Sequence, residues 1–127
     1  MRSETNNLGQ LGERAAAEYL KNKGYKILDR NFQNNLGRRL GEIDIIAFDK
    51  SENMLVFAEV KTREMDKFKD TLPEENITYS KLRKLSKIAS AYLRLKHKED
   101  SEYRFDALSV WLDPISQEAR IKHIQSL

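Results

Sequence analysis

Two short segments constrain this chain more than any other part of it: GEIDIIAF at 41–48 and LVFAEVKT at 55–62. Each alternates with the two-residue period of a β-strand, yet each carries acids where a buried strand should be apolar. Glu42, Asp44, Ile46 and Phe48 fall on one face of the first segment, and Leu55, Phe57, Glu59 and Lys61 on one face of the second. If the strands pair, three carboxylates and a lysine converge. Burying such charges is unfavourable unless a metal ion or a partner compensates them. Charges kept at that cost point to function.

The rest of the pattern supplies a frame for these strands. Leu8, Leu11, Ala15, Ala16, Tyr19 and Leu20 form an apolar stripe at helical spacing, which predicts a helix over 8–23 with Asn6 or Asn7 as its cap and Gly24 at its end. YKILDRNFQ at 25–33 reads as a strand, 34–41 as a turn with Arg38 and Arg39 at its tip, and 49–53 as the turn between the two acidic strands. The polar stretch 63–77 reads as a loop. Leu82, Leu85, Ile88, Ala89, Tyr92 and Leu93 predict a second helix over 79–97, capped by Thr78 or Ser80. Two closing strands follow at 103–112 and 119–125. The order α-β-β-β-α-β-β fits an α/β domain with a central mixed sheet, in which the second helix is a crossover if the third and fourth strands are parallel neighbours.

At 127 residues the chain is expected to be one domain, spanning 1–127. A net charge of +3 permits nucleic-acid binding without demanding it. The absence of cysteine excludes disulfide scaffolds and thiolate metal sites and suits a reducing compartment. No apolar run approaches the roughly 20 residues that span a bilayer. MRSETNNLGQ lacks the apolar core of a signal peptide. The expectation is a cytoplasmic protein with no membrane partner.

The chemistry of the acidic strands is that of a hard-cation site. Carboxylates from adjacent strands, Asp44 and Glu59, suit Mg²⁺ or Mn²⁺, with the Val60 carbonyl as a further oxygen. Lys61 can orient an attacking water, assist its deprotonation or balance charge at a phosphoryl centre. Those are the needs of phosphodiester hydrolysis. The competing reading is a cross-strand salt bridge on a solvated sheet surface, although Ile46, Phe48, Leu55 and Phe57 on the same faces favour a core. Glu13 borders the apolar stripe of the first helix, where it is either a surface acid or a group that reaches the metal zone. Glu42 is a secondary candidate, as a supporting group or a ligand to a second metal ion.

Five segments then carry a resemblance: LGERAAAEYL (11–20), GYKILDRNF (24–32), GEIDIIAF (41–48), FAEVKTR (57–63) and RFDALSV (104–110). In this order they resemble the YraN family of small bacterial proteins, which is assigned to the fold of archaeal Holliday-junction resolvases within the PD-(D/E)xK nucleases. The resemblance implies a restriction-endonuclease-like, resolvase-like core with a central mixed five-stranded sheet flanked by helices. It implies that Asp44, Glu59 and Lys61 are the nuclease motif and that Glu13 is the helix-one acid, with Asp44, Glu59 and Glu13 as metal ligands. Ile43 stands where many nucleases of this type have proline. The resemblance further implies a Mg²⁺- or Mn²⁺-dependent endodeoxyribonuclease that leaves 5′-phosphates, a branched or recombination DNA substrate, and a homodimer. The alternative is a nucleic-acid-binding module with a nuclease fold and no catalysis.

Among the cations, Lys81, Arg83, Lys84 and Lys87 cluster at the start of the second helix. Such a run is either a solvated helix face or a set of phosphate contacts. Lys81 and Lys84, with Arg38, Arg39 and Arg63 on predicted loops, are the candidate nucleic-acid-binding residues; Lys67 and Lys69 share the last of these loops. Arg104 and Asp106 read as a structural ion pair, and His97 and His123 fall in no ligand spacing.

Overall fold

The computed structural model describes residues 7–33, 41–65, 78–113, 115–116 and 118–127. Its elements are α1 (Leu8–Asn22), β1 (Tyr25–Gln33), β2 (Glu42–Asp49), β3 (Met54–Glu64), α2 (Tyr79–Leu95), β4 (Tyr103–Leu112) and β5 (Ala119–Ile124), in the order read from the sequence. One difference bears on the site. β3 runs on to Glu64, because Lys61, Thr62, Arg63 and Glu64 continue the parallel ladder with β4 from Ser109 to Leu112. Arg63 therefore lies on a strand, where the sequence reading had a loop.

The helices begin where their caps place them. The Asn7 carboxamide oxygen accepts the Gln10 backbone N–H at 2.8 Å, and the Gln10 side chain accepts the Asn7 N–H at 3.2 Å. This reciprocal pairing satisfies donors that a helix start leaves open. Lys23 caps the end of α1, and Gly24 then takes a positive φ of 95° that other residues rarely adopt. Thr78 caps α2 by accepting the Lys81 N–H at 3.1 Å. Among the described residues, no helix is long and apolar enough to cross a membrane.

The five strands form one mixed sheet in sequence order, antiparallel except for the parallel pair β3–β4 that α2 connects. α1 covers one face, where Ala16, Ala17 and Leu20 meet Ile45, Ala47, Val56, Ala58, Leu108 and Val110. α2 covers the other, where Leu85, Ile88, Ala89, Tyr92 and Leu93 meet Ile43, Ile46, Leu55 and Phe57. Simple alternation therefore breaks within β2. Ile43 and Ile46 share the α2 face while Ile45 lies on the α1 face, and Asp44 sits at the irregularity.

α1 approaches the sheet closely at one point. A Cβ on Gly12 would lie 1.8 Å from Thr62 Oγ1 and 2.6 Å from Thr62 Cβ, so only glycine fits there. The next residue is Glu13, so this contact sets how deeply that acid reaches over the sheet.

A polar network crosses the sheet at the far end of β2 from Asp44. Arg104 donates to Asp106 at 2.9 and 3.2 Å, to Asp49 at 3.1 Å and to the Tyr25 hydroxyl at 2.9 Å. Fully buried Asp106 also bonds the His123 ring at 2.7 Å and accepts the Ser126 N–H at 3.0 Å. Burial alone would raise the Asp106 pKa. The bonds from His123, Arg104 and the Ser126 N–H outweigh it and hold the carboxyl below its usual range. The ion pair expected between Arg104 and Asp106 is the centre of this network, and His123 is a member that spacing did not reveal.

Two outcomes follow from these contacts. Asp106→Asn removes one of the two carboxylates on Arg104, leaves it Asp49, and should lower stability by about 1.5–3 kcal/mol at neutral pH in urea titrations. Because the Asp106 pKa is depressed, its contribution is present above the unfolded carboxylate range and lost as pH falls through the folded value, so the gap between variant and wild type should close in acid. Gly12→Ala should lower stability by about 1–3 kcal/mol. That loss should shrink when measured against a Thr62→Gly background. Equal losses in the two backgrounds would mean that this approach is not close.

Candidate metal and nucleic-acid site

The site begins where β2 and β3 part. Their antiparallel ladder runs from Asp49–Met54 to Ile45–Ala58 and stops there. One residue further, the Asp44 carboxylate accepts the Val60 N–H at 2.7 Å. A side chain thus takes the place of a backbone acceptor and fixes Asp44 across the opening between the strands.

Two other acids join it. Glu13 from α1 and Glu42 from the start of β2 each place a carboxylate oxygen so that these and one of Asp44 all lie within 4.8 Å of one another. Asn31, at φ 53° on β1, donates to Glu13 at 3.0 Å and to Glu42 at 3.4 Å. Gln33 donates to Glu42 at 3.0 Å, and Arg30 lies 3.7 Å from Glu13 on the exposed side. Asparagine tolerates the left-handed backbone that Asn31 adopts. Neither amide was anticipated from the sequence; the polar run Asp29-Arg30-Asn31 within β1 was the available signal.

The electrostatics are those of a site short of positive charge. The Asp44 pKa is pushed up to about 7, first by burial and then by the nearby charges of Glu59, Glu13 and Glu42, against the opposing Val60 hydrogen bond. A group of hard carboxylate oxygens around a destabilised carboxylate fits a hard divalent cation, which would compensate the burial and the repulsion together.

Glu59 is near enough to affect Asp44 but stands outside the three-carboxylate group. It is buried, and its carboxylate is ion-paired with the Lys81 ammonium from the first turn of α2. Lys61 follows two residues along β3, half-buried, with no hydrogen bond or ion pair among the described residues. A groove of about 260 Å³ lined by Gly41, Glu42, Glu59, Lys81, Lys84, Leu85 and Ile88 opens beside these groups.

The structure thus brings together Asp44, Glu13 and Glu42, with Glu59 adjoining them. Lys81 and Lys84 line the same groove, and Arg83 and Lys87 are exposed on the same helix. Arg63 is half-buried on β3 in register with Trp111. Arg38, Arg39, Lys67 and Lys69 lie outside the described residues.

The sequence model of the uncharacterised protein family UPF0102 matches residues 12–110, which include every acid of this site. A UPF0102 protein of Caldanaerobacter subterraneus subsp. tengcongensis is 43% identical over 107 residues, covering 84% of this chain and 81% of its own. Another, from Clostridium botulinum strain Loch Maree, is 42% identical over 121 residues, covering 94% and 92%. A third, from Thermodesulfovibrio yellowstonii, is 41% identical over 119 residues, covering 94% and 93%.

The raised Asp44 pKa sets a pH dependence. Below about pH 4 the group is protonated in both folded and unfolded chains and has no effect. Between there and the folded value of about 7 the unfolded chain ionises while the folded one keeps its proton, so stability falls as pH rises. The loss should be on the order of 4 kcal/mol without divalent ions. Thermal melts across this range should show Asp44→Asn flattening the slope and Mn²⁺ restoring stability to the wild type at alkaline pH. An identical slope in the variant would remove the charge deficit from this position.

Proposed function

We propose that this chain, which belongs to the uncharacterised protein family UPF0102, the YraN family, is a metal-dependent nuclease of the resolvase-like fold that hydrolyses phosphodiester bonds in DNA. The observation that carries this reading is the Asp44–Val60 clamp. It fixes one carboxylate at the opening between two strands, with Glu13 and Glu42 gathered on it and Glu59 and Lys61 on the adjoining strand. A structural salt bridge needs no such surplus of acid.

In this reading Asp44 and Glu13 hold Mg²⁺ or Mn²⁺, with Glu42 as a further oxygen donor and Glu59 joining from β3. The ion would supply an activated water at neutral pH and neutralise charge on the phosphate. Val60 fixes the Asp44 carboxylate through its N–H. Asn31 and Gln33 orient Glu13 and Glu42 from β1. Lys61 directs its ammonium to the attacking water or to the charge that develops on the phosphoryl oxygens. Lys81 and Lys84 on α2 take neighbouring phosphates, as do Arg38, Arg39 and Arg63. A branched DNA substrate, a homodimer that cuts two strands symmetrically, and a cytoplasmic setting complete the proposal.

One observation favours a second reading, a nucleic-acid-binding module without catalysis. Lys81 already neutralises Glu59, so the motif glutamate can serve as a purely structural partner of α2.

A labelled panel of four-way junction, flap, single strand and duplex separates the two. With Mn²⁺ or Mg²⁺ the wild type should cut at least one member, EDTA should stop it, and identically purified Asp44→Asn should be at least about 100-fold slower. Cutting that survives Asp44→Asn would place the chemistry elsewhere. Gel shifts without cutting under any condition would establish the binding module.

A further inference from the structure

The pairing of Glu59 with Lys81 has an unusual setting. α2 carries Lys81, Arg83, Lys84, Lys87 and Arg94 and no acidic residue. Of these, only Lys81 is in an ion pair among the described residues, and its partner lies across the groove on β3. The two ends of the pair differ in accessibility. The Lys81 side chain is 34% exposed, whereas that of Glu59 is 11% exposed. An ammonium on a long stem can swing toward solvent, while a carboxylate on a central strand cannot follow it.

We propose that Lys81 is a phosphate-responsive latch on Glu59. A DNA phosphate docking on the cationic face of α2 draws Lys81 to itself, which frees Glu59 for the divalent ion and makes DNA and metal bind cooperatively. This rests on the metal-site reading above and adds to it the coupling through which the site is assembled.

Charge balance makes the exchange feasible. Glu59 is too buried to stand without a cation, and removing a partner from a buried ion pair is strongly destabilising. Lys81 can therefore leave only when another cation arrives. The three carboxylates of Glu13, Glu42 and Asp44 attract that cation to the adjoining space. The released ammonium likewise needs an anion. Lys84, one turn along on the same groove wall, holds a phosphate within the reach of Lys81, and Arg83 and Lys87 continue the positive face beyond it. DNA is the occupant that charge complementarity favours, because its backbone presents a row of phosphates to a helix that carries a row of cations. Each arrival lowers the cost of the other, so the coupling is reciprocal.

Fluorescence anisotropy of a labelled four-way junction, in EDTA and in Ca²⁺, tests this, with Mn²⁺ calorimetry of the DNA-free protein beside it. Wild type should bind the junction about tenfold more tightly with Ca²⁺ than in EDTA. Lys81→Met should abolish that ratio and should bind Mn²⁺ more tightly than wild type without DNA, since its Glu59 is already free. Lys81→Arg should restore part of the ratio. Lys84→Gln should weaken junction binding in both conditions and keep the ratio. A full tenfold ratio in Lys81→Met, or tighter Mn²⁺ binding that fails to appear in a variant with a native circular dichroism spectrum, would overturn the latch. Wild type that binds Mn²⁺ and the junction independently sinks the latch alone. Wild type that binds no Mn²⁺ sinks the metal-site reading with it, and wild type that binds no junction removes DNA as the occupant and the latch with it.

Discussion

The geometry of the acidic site depends on one substitution of a side chain for a backbone group. A strand that leaves its neighbour exposes unpaired amides, and an orphaned amide in a buried place costs about as much as a lost hydrogen bond. Here the Val60 N–H finds the Asp44 carboxylate at 2.7 Å. The bond lets β2 separate from β3 without losing hydrogen-bonding capacity. It also fixes an acid at the point of separation. With Asp44 held there, Glu42 at the start of β2 and Glu13 above it close around the same space. The break in the β2 alternation between Ile43 and Ile46 belongs to the same departure, since the strand must turn its faces to leave the ladder.

The two polar clusters of the sheet make an instructive contrast. Around Arg104, carboxylates, guanidinium, imidazole and hydroxyl satisfy one another, and the Asp106 pKa is lowered. That is a finished network, complete without a ligand. Around Asp44, among the described residues, Arg30 and Lys81 pair only with the outer acids Glu13 and Glu59, Asn31 and Gln33 supply dipoles, and the Asp44 carboxyl, with no cation on it, is driven up to about 7. The same chain can evidently neutralise buried carboxylates when structure is all that is required. Asp44 at the other end is left without such a partner, and that difference is what supports the metal-site proposal.

Much of this was legible in the sequence, and for definite reasons. The apolar runs within 41–48 and 55–62, and helical stripes over 8–23 and 79–97, reflect burial, so elements and their order could be read, although the helices on both faces of the sheet break the strict alternation read in the two strands. Asp44 and Glu59 stood out because acids interrupted apolar alternation. Other features depend on tertiary approach and leave little local trace. The extension of β3 through Arg63 follows from pairing with β4, which no local propensity announces. Asn31 and Gln33 enter the site through the register of β1 against β2. His123 meets Asp106 only because β5 lies beside β4. Glu42 ranked behind Glu59 on spacing, and it is Glu42 that lies with Glu13 and Asp44 while Glu59 is paired with Lys81 of α2.

The placement of these two glutamates bears on how such motifs should be understood. Spacing places Glu59 two residues before Lys61 on one strand face, and the strand does hold them there. It says nothing of which cation each carboxylate meets. A basic helix packed over the acidic edge supplies Lys81 to Glu59, while the helix on the opposite face supplies Glu13, one acid more, to Asp44. The two helices thus act on the site with opposite sign. α1 adds a negative charge beside Asp44, and α2 adds a positive one beside Glu59 from a side chain that solvent can reach. Under the latch proposed above, an acidic site poised between those two influences would take its charge state from the DNA phosphate that occupies the groove beside α2.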